Sequence, residues 1–177
     1  MVTKLNELII RPELKGDFEA VSKIHLSAFN QSFEAELVDN LRRHSLFAKS
    51  ISLVALFKNL PVGHLLLFPV FIKGDRTVFA TLSLAPMAVL PDFQRLGIGS
   101  KLVETALDEA KTSQFGSVIV LGHPGFYPRF GFKPASQFYI KSPIDVPDEA
   151  FMVAELEAGS LKGIAGTVEY PASFFSA

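Results

Sequence analysis

Apolar positions recur along the chain at two spacings, and each spacing names an element. From Gly97 to Lys111, Ile98, Leu102, Val103, Ala106, Leu107 and Ala110 form one stripe at helical spacing, with Glu104, Asp108, Glu109 and Lys111 off it. This predicts an amphipathic helix whose acids form a solvated face. Asp17 to Phe29 carries Phe18, Val21, Ile24 and Ala28 near the same spacing, and Phe33 to Arg43 carries Phe33, Leu37, Val38 and Leu41. Two further helices are expected there. Glu7 to Arg11, closed by Pro12, is a short β-rich run, and Ser52 to Phe57, Gly63 to Ile72 and Val78 to Val89 follow, separated by Asn59-Leu-Pro61 and Lys73-Gly-Asp75. Those breaks predict an antiparallel meander. Ser117 to Leu121 is continuously apolar, as expected of a strand covered on both faces and parallel to a neighbour. Beyond Gly122-His-Pro-Gly125, Phe126 to Gly131 reads as a short helix, and Phe132, Phe138 to Ile140 and Phe151 to Leu156 as further strands or loops. The order β-α-α-β-β-β-α-β-α-β is mixed α/β around one sheet.

The length of 177 residues suits one core, and 49% hydrophobic against 20% charged residues excludes wholesale disorder. Lys and Arg number 17 against 18 Asp and Glu, with no basic run longer than Arg42-Arg43, so no nucleic-acid or lipid-binding arm is expected. The chain has no Cys, which removes disulfides, thiolate metal sites and acyl transfer through a cysteine. His25, His44 and His64 read as isolated, without metal-ligand spacing, and as structural or exposed residues, so no metal is expected. Met1 to Glu7 lacks the apolar core of a signal peptide, and the longest uncharged stretches, Asn59 to Ile72 and Thr77 to Pro91, are broken by proline and too short to span a bilayer. A soluble cytoplasmic protein is expected.

Chemistry concentrates in Met87-Ala-Val-Leu-Pro-Asp-Phe-Gln-Arg-Leu-Gly-Ile-Gly-Ser100, a strand running through a short loop into the most regular helix. Amides at a helix start lack intrahelical acceptors and sit at the positive end of the dipole, so they bind an anion without a lysine cluster. Gly97 and Gly99 permit close approach and positive φ, and Arg95 adds a cation. A Walker A loop needs Gly-Lys-Ser/Thr, whereas the order is Gly99-Ser100-Lys101; a dinucleotide fingerprint needs a glycine where Leu102 stands. Neither motif is present.

The pattern Gln/Arg-x-x-Gly-x-Gly/Ala after a strand ending in Val-x-Pro, filled by Val89, Pro91, Gln94, Gly97 and Gly99, resembles the pyrophosphate motif of the GNAT superfamily of N-acetyltransferases. Tyr127-Pro-Arg-Phe-Gly-Phe132 resembles that family's Tyr-x-x-x-Gly-Phe. With Gly122 to Phe132 and Phe151-Met152 through Tyr170, the chain is similar to the small bacterial YhbS-like branch. The resemblance implies a single domain over residues 1–177, with a mixed, mostly antiparallel sheet splayed between strands four and five and flanked by helices.

It further implies acetyl-CoA as cosubstrate. The backbone of Met87, Ala88 and Val89 would pair with the pantetheine, the amides of Gln94, Arg95, Leu96, Gly97, Ile98, Gly99 and Ser100 would hold the pyrophosphate, and the Val89 amide would polarise the thioester carbonyl. Pro86 inside the strand favours a bulge that frees such donors. Tyr127 is implied as the acid that protonates the departing thiolate, and direct transfer to a primary amine of a small molecule or peptide follows. Glu34, Ser83 and His123 flank the acceptor cleft as candidate bases, and His123-Pro124 stand where the family commonly has Asn. Without the resemblance, Gly97 and Gly99 read as turn glycines, Arg95 as an exposed cation and Tyr127 as a packed ring. The alternative is a non-catalytic acyl-CoA-binding or sensing module; a homodimer and the acceptor's identity stay open.

Overall fold

The computed structural model describes residues 5–175. Residues 1–4, part of the segment read as lacking a signal peptide, lie outside them. The elements are β1 (Leu8–Pro12), α1 (Phe18–Phe29), α2 (Phe33–Arg42), β2 (Ile51–Phe57), β3 (Leu60–Lys73), β4 (Val78–Val89), α3 (Ile98–Lys111), β5 (Ser117–Leu121), β6 (Lys133–Pro134), β7 (Ile140–Lys141), β8 (Phe151–Glu155) and β9 (Gly166–Glu169). Strands run in the order β1-β2-β3-β4-β5-β8-β6, with β9 pairing both the far end of β3 and the two-residue β7. Neighbours are antiparallel except β4–β5 and β7–β9. The meander and the parallel placement of β5 are as the apolar runs predict. The segment Phe126 to Gly131 holds the short helix expected, a 3-10 helix over Tyr127–Phe130 with Gly131 following at φ +91°. Pro128 is accepted in its first turn, and the left-handed Gly131 ends it.

Each face of the sheet has its own core. On one, α3 lays its predicted stripe against Leu65, Leu67, Leu82, Leu84, Val118 and Val120. On the other, alternate residues Leu66, Phe68, Ile119 and Phe151 meet Leu37 and Leu41 of α2 and Phe174 of the C-terminal segment. The acids of α3 face outward as expected, Glu104 and Asp108 pairing with Lys101 and Lys111.

His25 and His64 are structural residues but not isolated ones: both are fully buried and paired, Nε2 of His25 lying 2.8 Å from Nδ1 of His64. His64 Nε2 is 3.0 Å from the Ser52 hydroxyl, which donates to Glu13 at 2.9 Å, and Glu13 pairs with Arg42. Because Ser52 gives its proton to a carboxylate, it accepts from His64 Nε2–H, and His64 Nδ1 accepts from His25 Nε2–H. His64 is therefore neutral, with one ring nitrogen donating and the other accepting, while His25 Nδ1 meets no partner among the described residues and burial disfavours a charge on it. Burial lowers the pKa of each, with the Arg42 cation acting in the same direction, and His25 falls to about 4.

An unfolded histidine takes up its proton near 6.5, above its folded value, so the unfolded chain binds more protons below about pH 6.5 and stability is lost as the pH falls towards 4. At about 1.4 kcal/mol per unit, His25 alone contributes on the order of 3 kcal/mol. The urea midpoint is expected to drop markedly between pH 7 and pH 4.5, and less so in His25→Gln; equal slopes for the two proteins would contradict this reading.

Candidate active site

Strand β4 is the spine of the site. It pairs with β5 only through Leu82↔Val118, Ser83↔Ile119 and Leu84↔Val120, then runs on through Pro86 to Val89 while β5 ends at Leu121. On its other edge the register with β3 shifts between Leu65↔Met87 and Leu67↔Leu84, which places the expected irregularity at Pro86. The Leu90 amide donates to Val62 of β3 at 2.8 Å, so by strand alternation the polar groups of Val89 point the opposite way, into the gap beside β5. The Gln94 side chain confirms that direction by donating to the Val89 carbonyl at 3.0 Å.

The gap is the waist of a cleft of about 1090 Å³ that opens on both faces of the sheet. On the α3 face, the loop after β4 turns through Pro91–Phe93, Arg95 takes φ +60° and Gly97 φ +91° before α3 starts at Ile98. Of the two glycines expected to need such freedom, only Gly97 uses it. Gly99 contributes space instead: a Cβ there would sit 3.8–3.9 Å from Met87, Phe126 and Val89, in ordinary contact at the cleft wall.

Phe93 and Gln94 amides are taken by Leu90 and Pro91, and the first intrahelical bond of α3 is Lys101 to Gly97. The amides of residues 95 to 100 have no main-chain acceptor among the described residues. Gln94 thus departs from the expected cradle: its amide is bonded within the turn, and its side chain latches the loop to β4. Leu96 and Ile98 offer only main chain, since Leu96 projects outward and Ile98 is buried in the core. Met87, Ala88, Val89, Arg95, Gly97, Gly99 and Ser100 all line the cleft. A row of free amides at a helix start with a guanidinium beside it suits an extended polyanion.

Tyr127 closes the same half. Its ring is buried, in edge contact with Phe126 and Phe132 at 5.0 and 5.5 Å, and burial pushes the phenol up to about 12. It lies so close to Gly122 that a Cβ there would come within 2.3 Å of the ring. Arg129, which the sequence reading did not single out, lies over Phe126 and donates to Gly125, adding a second cation to this half. The candidate bases Glu34, Ser83 and His123 line the cleft as expected.

Comparison with known proteins gives this arrangement a family. An acetyltransferase (GNAT) domain model matches residues 48–134. The uncharacterized N-acetyltransferase YjhQ of Escherichia coli K12 is 33% identical over 136 residues, covering 76% of this chain and 75% of YjhQ. The chain belongs to the GNAT family of N-acetyltransferases. The uncharacterized N-acetyltransferase YhbS of the same organism is 29% identical over 168 residues, 94% of this chain and 98% of YhbS. A crystal structure of YhbS in complex with CoA superposes on this GNAT domain with a TM-score of 0.88 at 28% identity, over 96% of this chain and 92% of that one. A Brucella melitensis GNAT acetyltransferase in complex with acetyl-CoA gives 0.73 at 29% identity, over 94% and 97%. Among the described residues, no helix of this GNAT domain is long and apolar enough to cross a membrane.

Sequence reasoning about this transferase missed Gly122, Arg129 and the aromatic wall on the opposite face, formed by Phe29, Phe33, Tyr170 and Phe174. The glycine in Gly122-His-Pro-Gly125 was visible as a strand breaker; the ring that requires it lies five residues on.

Proposed function

We propose that the protein transfers the acetyl group of acetyl-CoA to a primary amine by direct attack. The observation that carries this reading is the run of uncommitted amides from residue 95 to residue 100 beside the unpaired edge of β4. The amides and Arg95 receive the diphosphate, the gap-facing edge of Met87 to Val89 receives the pantetheine, and the thioester comes to the waist of the cleft. There the Val89 amide is placed to stabilise charge on the carbonyl oxygen.

Once the acceptor ammonium has released one proton to solvent, the neutral nitrogen attacks the carbonyl carbon, the C–N bond forms, the C–S bond breaks, and a second proton passes from nitrogen to sulfur. With a pKa of about 12, Tyr127 holds its proton throughout the physiological range, so it serves as a donor to the departing sulfur and regains a proton from the attacking nitrogen. Its own protonation state is unchanged over the cycle. The CoA complex of YhbS and the acetyl-CoA complex of the Brucella protein support the choice of cosubstrate.

In an assay of amine-dependent thiol release, Tyr127→Phe is expected to lower kcat about 100-fold, at the lower end of the usual range for general acid–base groups, with acetyl-CoA affinity within twofold of wild type. An unchanged kcat would remove Tyr127 from the reaction. Tight acetyl-CoA binding with no thiol release for any amine would instead support a cofactor-sensing module.

A further inference from the structure

The half of the cleft on the α1–α2 face has a chemistry unlike the half on the α3 face. Phe29, the last residue of α1, and Phe33, the first of α2, flank the Asn30–Ser32 link and leave 40% and 39% of their surface open. Phe175, 62% exposed, lines the same cleft, as do Tyr170 and Phe174, whose rings lie 4.9 Å apart at a tilt of 47°. Rings left open together at a cleft mouth are a surface kept for a ligand, since burial elsewhere would be favourable.

Polar groups on that side are few. Burial pushes the Tyr170 phenol up to about 12, with the Ser83 hydroxyl alongside acting in the opposite sense, so the pair adds no charge. Glu34 is the one charged side chain of this half among the described residues; the cations Arg95 and Arg129 belong to the other. Gln31 Nε2 donates to both Glu34 oxygens at 2.9 and 3.0 Å, which fixes the carboxylate while leaving lone pairs for another donor.

We propose that the acceptor is a monoamine carried on an aromatic or branched aliphatic body, its ammonium drawn in by Glu34 and its body seated among Phe29, Phe33 and Phe174. The proposal rests on the acetyl-transfer reading above. One carboxylate matches one ammonium. A polyamine or an aminosugar would bring further cations into an apolar wall, and an amino acid would bring a carboxylate with no cation on this side to meet it.

The test is thiol release from acetyl-CoA with 2-phenylethylamine, isopentylamine, ethanolamine, spermidine and glutamate, alongside titration of acetyl-CoA. 2-Phenylethylamine and isopentylamine are expected to exceed the other three at least tenfold in kcat/KM. Phe33→Ser and Phe29→Ser should each raise KM for 2-phenylethylamine at least fivefold and leave acetyl-CoA affinity within twofold. Glu34→Gln should lower kcat/KM for it at least tenfold. Spermidine, ethanolamine or glutamate matching 2-phenylethylamine, or an unchanged KM in both Phe variants, overturns the proposal and leaves acetyl transfer standing. Acetyl-CoA binding without thiol release for any of the five amines overturns the acceptor proposal; silence across a broad panel of amines, peptides included, overturns acetyl transfer with it.

Discussion

Gly99→Trp is expected to abolish acetyl-CoA binding, weakening it at least 100-fold, while the folded protein keeps its thermal midpoint within a few degrees. Gly99 lies in the first turn of α3, its Cβ direction leads towards Met87, Val89 and Phe126 at 3.8–3.9 Å, and all three line the cleft. A methyl fits there without displacing anything, so Gly99→Ala should bind acetyl-CoA nearly as wild type does. An indole cannot fit, and it would occupy the room in front of the free amides. Because Gly99 does not use a positive φ, substitution costs no backbone strain, and loss of binding reports on the space alone. Isothermal titration of the three proteins decides the matter; equal affinity in Gly99→Trp would place the ligand elsewhere.

Gly122→Ala should be about as damaging as Tyr127→Phe, for a different reason from Gly99→Trp. The added Cβ would lie 2.3 Å from Cε2 and 2.9 Å from Cδ2 of Tyr127. Gly122 cannot retreat easily, since its amide is tied to the Ala150 carbonyl at 2.9 Å, and Tyr127 is a buried ring held against Phe126 and Phe132. The ring must therefore shift. Overpacking of this kind costs about 1–3 kcal/mol, and displacing a reacting group by about 1 Å costs on the order of 100-fold in rate. A kcat lowered about 100-fold with little change in acetyl-CoA affinity is the expected result, mirroring Tyr127→Phe. Full activity in Gly122→Ala would mean that the position of the Tyr127 ring does not matter to the reaction.

Both positions lie in segments that the sequence marks by local pattern. The stripe of α3 and the continuous run of β5 each encode their burial within a few residues, and their positions follow from spacing alone. The strand-loop-helix order around Gly97 then locates the amide row. The exception within it, Gln94, depends on which carbonyl its amide meets, and a 3-10 turn through Pro91 decides that. The short strands β6, β7 and β9 owe their existence to partners far along the chain and have no local period to read. The same limit hid the histidine pair, whose members are 39 residues apart, and the aromatic half of the cleft, which is assembled from α1, α2 and the C-terminal segment. Only the folded chain brings those rings together.

The central claim is that main-chain amides of the β4–α3 loop grip a diphosphate, and the direct test is to titrate the wild-type protein with acetyl-CoA and with S-acetylpantetheine, which keeps the thioester arm and lacks the phosphates. Acetyl-CoA is expected to bind at least 100-fold tighter, with the difference shrinking sharply in Gly99→Trp. Equal affinities for the two ligands in the wild type would contradict the claim.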